Sequence, residues 1–132
     1  MSDMECITLT GISKATIDEL KRGTPRTVEL TSANNIISLA GAEIGTDIFL
    51  TSIDCEDITA GDPGIIVHLI SSSISMKHTV EMSAGHICER ERLTARMKVK
   101  FVSTAKIRTA PACVFTQATV ADIIRPSGYI AG

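Results

Sequence analysis

The chain has 132 residues, 44% of them apolar, so it is long enough to fold around its own core as one domain and too apolar to be disordered. One Tyr, three Phe and no Trp leave few rings for a function that stacks several bases. The net charge of −2 draws no polyanion to the molecule as a whole, but the charge is split: residues 1–62 hold eleven acids and four bases, and residues 92–132 hold one acid and seven bases.

The first expected strand is Cys6–Thr10, interrupted by Gly11. Ser13 is placed to cap a short helix whose Ile17 and Leu20 face inward. Gly23 can take the left-handed closing turn, and Pro25 forbids continuation. Arg26–Thr31 then alternates as a strand, with Val28 and Leu30 on one face. Ser32 can cap a second helix over Ala33–Ala40, ended by Gly41, and Ile48–Ser52 is a third strand. The acidic stretch Ile53–Gly64 is expected to turn. Gly64 opens a long β-branched run toward Met76, with His68 expected in the core, and Thr79–Gly85 is expected to loop.

The clearest period lies at Leu93–Ser103, where Leu93, Ala95, Met97, Val99 and Phe101 alternate with Thr94, Arg96, Lys98 and Lys100. This predicts a half-buried strand with one wet face. Ile107 continues it between Lys106 and Arg108. Cys113–Phe115 is a further candidate strand, and Val120–Ile124 is helix or strand, stopped by Pro126. Many strands and two short helices near the N-terminus predict an α+β, mainly β fold: a small barrel with helical cover.

Cys6, Cys55, Cys88 and Cys113 are widely spaced, with no C-x-x-C pair and no basic, apolar leader before them. They are expected to be reduced thiols in a cytoplasmic protein. No apolar stretch approaches the ~20 residues needed to span a bilayer, so no membrane partner is expected.

Gly23-Thr24-Pro25-Arg26-Thr27-Val28-Glu29-Leu30 is similar to a signature of the ASCH branch of the PUA-like barrels, and Ile44–Leu50 resembles the segment that follows it. Thr46, between the glycine and the acid, is a departure. Taken whole, the chain resembles an uncharacterised archaeal family, domain of unknown function 473. That resemblance rests on Leu9–Ser13, Arg26–Leu30, Phe49–Ser52 with Glu56-Asp57, Gly64–Ile66, Ile74–Met76, and Glu89–Glu91 leading to Ala95-Arg96. The family implies no activity. The barrel implies a fold used for RNA binding, for reading modified nucleotides and, in some members, for amide hydrolysis.

Two constellations bear on chemistry. Arg26, Thr27 and Glu29 are candidates for a ligand cleft beside the first helix. Hydrolases of the ASCH branch carry a lysine at the basic position, and arginine does not give up its proton, so the set suits recognition better than catalysis. Its alternative is an ordinary surface pair. Arg96, Lys98, Lys100, Lys106 and Arg108 lie within residues 92–121, which hold no acid, and are candidates for nucleic-acid contacts. Their alternative is a solvated strand guarded against edge pairing.

Glu89-Arg90-Glu91-Arg92 would send its acids to one face and its bases to the other. His86 and Cys88 do not complete a metal set, and no nucleophile motif or phosphate loop occurs, so neither a metal, a cofactor nor catalytic residues are assigned. The resulting reading is a non-catalytic module for RNA or a modified nucleotide. Its alternatives are a small-molecule hydrolase using the same cleft and an assembly subunit.

Overall fold

The computed structural model describes residues 3–114 and 117–125. Six strands and two helices follow one another as β1 (Asp3–Leu9), α1 (Lys14–Leu20), β2 (Arg26–Leu30), α2 (Ala33–Ala40), β3 (Asp47–Leu50), β4 (Pro63–Ser83), β5 (His86–Thr109) and β6 (Val120–Ile124). The fold is mainly β. Its helices are interleaved with the first three strands rather than gathered ahead of them. The Ser32 hydroxyl accepts a 3.5 Å bond from the Asn35 amide, whereas Ser13 makes no side-chain cap. Gly23, just past α1, has φ of +90° as its place after the helix demands.

The strands form one sheet in the order β2-β5-β4-β3-β1-β6, and β6 returns to β5. Five strands thus close a ring, with β2 hung on the outer edge of β5. Only β1 and β3 run parallel; the other pairs are antiparallel. Every ring strand sends a side chain into one cluster: Cys6, Phe49, Ile66, Ala105, Ile107, Ala121 and Ile123. The other face of the sheet carries Leu9, Ile48, Leu50, Ile65, Val67 and Leu69 under Ile17, Leu20, Ile36 and Leu39 of the helices. His68 is not in this core. It stands exposed opposite Asp47, with Nδ1 3.3 Å from the carboxylate.

Strands β4 and β5 outrun the ring. At the ring Gly64 pairs with Ala105 and Ile66 with Ser103; then two register shifts leave Val102 and Ile70 unmatched. Beyond them the two strands continue as an arm, from Ser71 opposite Lys98 to Ser83 opposite His86, flanked by β2 as far as Ala95 and, among the described residues, by no strand past it. The arm closes on Ala84-Gly85, both at positive φ, as a two-residue hairpin turn requires. The expected loop at Thr79–Gly85 is therefore strand up to Ser83. With both faces wet there, burial could not mark it. Leu93, expected in the core, is 46% exposed, because the body ends near Ala95.

The first shift also decides what each face of β5 meets. Ala105 and Ile107 point into the ring, yet Ala95, Met97 and Val99 point to the helix-side core. One strand thus serves two cores, turned over at Phe101-Val102.

Cys55 and Cys113 form a disulfide, with Cα atoms 6.0 Å apart. This corrects the expectation of four free thiols: the sequence separation of 58 gave no hint that the turn at Cys55–Asp57 meets the segment after β5. Cys6 and Cys88 are free. The cysteine argument for a cytoplasmic location loses its footing with that bond. Residues 113 and 114 lie outside any strand, and Phe115, like Pro126, falls outside the described residues. No helix among the described residues is long and apolar enough to cross a membrane.

Candidate nucleic-acid interface and the adjoining cleft

Beyond the shift, the even-numbered residues of β5 all face away from the helices. Arg90, Arg92, Arg96, Lys98 and Lys100 therefore form one exposed row. Successive positions on one face of a strand are ~7 Å apart, so the row is a ladder of cations rather than a cluster. Three of the five partner positions on β4 are small and hydroxylated, with Thr79 opposite Arg90, Ser73 opposite Arg96 and Ser71 opposite Lys98; Lys77 stands opposite Arg92 and His68 opposite Lys100. Both acids of the arm segment of β5, Glu89 and Glu91, are on the opposite face, where Glu91 lies 3.9 Å from His78.

Lys106 and Arg108 do not belong to this row. Past Phe101-Val102 the even positions turn to the helix side, and Lys106 lines a cavity of about 290 Å³ with Lys14 of α1 and Lys21 just after it. The five bases taken together from the sequence are thus divided between two faces. Arg90 and Arg92, which were not among them, extend the row instead. The sign alternation of Glu89–Arg92 was the signal for them, had the period-two pattern been carried past Leu93.

The row runs directly into β2. Thr27 pairs with Lys98 and Glu29 with Arg96, whose Nε is 3.5 Å from the Glu29 carboxylate. The two sets of residues singled out separately in the sequence are therefore neighbours across one strand pair. Arg26 points the other way and donates to Glu19 of α1 at 2.6 Å.

Of Arg26, Thr27 and Glu29, only Glu29 borders a cleft of about 470 Å³, with Thr10, Ser13, Asn34, Asp54 and Glu56 around it. Asn35 fixes its floor by two bonds to the Thr10 backbone, donating at 2.8 Å and accepting at 2.9 Å. Three carboxylates and no Lys or Arg line the cleft, so its field repels phosphate, and its only cysteine is held in the disulfide. The surface suited to a polyanion is the ladder outside the cleft.

Among the described residues no three His, Cys, Asp or Glu side chains converge as metal ligands; His86 and Cys88 share the wet face near the arm tip. A family model described as "Protein of unknown function (DUF473)" matches residues 4–121. No curated protein and no solved structure matches the chain.

Proposed function

The chain belongs to the DUF473 family of proteins of unknown function, and we propose from its own surfaces that it is a non-catalytic module that binds single-stranded RNA along the arm. One observation carries the reading: five bases stand on one face of β5, three of them opposite hydroxyls of β4, while the acids of the same strand are turned to the other face. Like charges ~7 Å apart repel unless a polyanion neutralises them, and a phosphate chain does so with release of its counterions. The hydroxyls supply the neutral donors that such interfaces place on phosphate oxygens. The closed ring with helices on one flank supports a PUA-like barrel as the scaffold. The acidic cleft is where that fold would read a modified nucleotide as a neutral or cationic group.

Filter binding against mixed single-stranded RNA over a salt series tests this. With five phosphates neutralised, log affinity should fall against log salt with a slope of about −3.5. Lys98→Glu with Lys100→Glu should weaken retention and flatten the slope by roughly 1.4. Retention shared equally by wild type and double variant would overturn the reading.

A further inference from the structure

The arm has a second surface that RNA binding does not use. Its helix-side face carries Ile74, Met76, Val80, Met82, Ile87 and Leu93, which are 44–77% exposed. Beyond Ile70 the outer edge of β4 pairs with no strand among the described residues. A lone two-stranded ribbon is marginally stable in water at best. Natural edges are blunted by proline, by charge or by bulges. The free edge of β5 has such a guard in Glu89–Arg92. The edge of β4 from Ser71 to Ser83 has no proline, carries charge only at Lys77 and Glu81, and has its one bulge at the root.

We propose that a second copy of this chain covers that edge, the two β4 strands pairing antiparallel about a two-fold axis at His78. Such an interface must be self-complementary, each residue meeting what meets it. Centred on His78, Met76 falls opposite the partner's Val80, Ile74 opposite its Met82, Ser75 opposite its Glu81 and Ser73 opposite its Ser83. Apolar residues meet apolar ones, polar meet polar, and no like charges are opposed. Centring on Lys77 sets lysine against lysine. Centring on Thr79 sets His78 against Val80 and gives up the Ile74–Met82 pair.

The main chain agrees with this register. In a two-residue hairpin Ser83 and His86 exchange their bonds, so the odd-numbered residues of β4 bond to β5 and the even-numbered ones present free N–H and C=O outward. The residues with apolar side chains are therefore those with free backbone groups. Joined so, the arms form a four-stranded sheet with both basic rows on one face. The proposal rests on the arm alone and stands or falls without RNA.

Sedimentation without RNA should give twice the chain mass at micromolar protein. Val80→Pro deletes an outward donor, spares the bonds to β5, and should return the mass to one chain with the circular dichroism of the wild type. Register is read by oxidation in a Cys88→Ser background. His78→Cys should cross-link to a dimer, since directly paired Cα atoms lie ~5.5 Å apart, within disulfide reach. Met76→Cys and Val80→Cys should each give no cross-link alone and cross-link only when mixed, because like positions are then offset by four residues, ~13 Å. A single-chain mass for the wild type would overturn the proposal. So would a dimer that survives Val80→Pro, or one that cross-links at Thr79→Cys but not at His78→Cys.

Discussion

Glu29 and Arg96 face each other across the β2–β5 pair, carboxylate to guanidinium at 3.5 Å, both more than half exposed. An ion pair this open contributes about 0–1 kcal/mol to stability. Its larger effect is to place a negative charge beside one rung of the cation ladder. Glu29→Gln should therefore leave the thermal midpoint nearly unchanged while raising RNA retention at any given salt. Binding that is unchanged or weaker in Glu29→Gln would mean that Arg96 takes no part.

Cys55 and Cys113 tie the turn after β3 to the segment after β5, closing a loop of 58 residues. Closing a loop of that length stabilises by about 4 kcal/mol in the chain-entropy view. Reductant should lower the melting temperature. In denaturant without reductant, two thiols per chain should react, and all four after reduction. Four reactive thiols at the outset would show that the bond does not form.

Cys6 and Cys88 should differ in chemistry. Burial in the ring, with the Asp47 carboxylate adding in the same direction against Arg125, pushes the Cys6 thiol up to about 11 from 9.0. The folded state thus holds this proton more tightly than the unfolded one. The resulting stability is present in full below pH 9 and is lost as pH rises toward about 11. Iodoacetamide at mildly alkaline pH should label exposed Cys88 and spare Cys6. Cys6→Ala should flatten the loss of stability in that alkaline window, which denaturant titration at several pH values would show.

Gly64 sits where β4 and β3 nearly touch. A Cβ there would run into Phe49 Cζ and the Leu50 carbonyl oxygen. Backbone cannot yield as a side-chain tip can, so Gly64→Ala should cost roughly 3 kcal/mol. Gly61→Ala, whose Cβ would meet nothing within 4 Å, provides the control, with only the cost of a left-handed alanine. Equal melting temperatures for the two would overturn this account.

Much of the fold was legible because burial writes itself into the sequence. Ile17 and Leu20, Val28 and Leu30, and the Ala95–Met97–Val99 alternation each point to one core, and their elements lie within a few residues of the expected bounds. The arm was legible only in part. Where neither face is buried, Val80 and Met82 look no different from residues of an apolar turn. Ring closure and the Cys55–Cys113 bond rest on contacts distant in sequence, which no local pattern encodes. At the site, Arg96, Lys98 and Lys100 followed from the period of two. The separation of Lys106 and Arg108 did not, because the bulge at Val102 interrupts a pattern that reads as continuous.

The turnover of β5 at Phe101-Val102 has a consequence for how such a chain can change over generations. Residues added in pairs at the tip lengthen the arm and leave its two sides as they are. One residue added to each strand between the bulge and Arg90 would rotate everything beyond it by half a turn, bringing the arginines to the helix side and Met76 and Val80 to the other. Related chains should therefore vary freely in the reach of the hairpin, but at its root only by even steps.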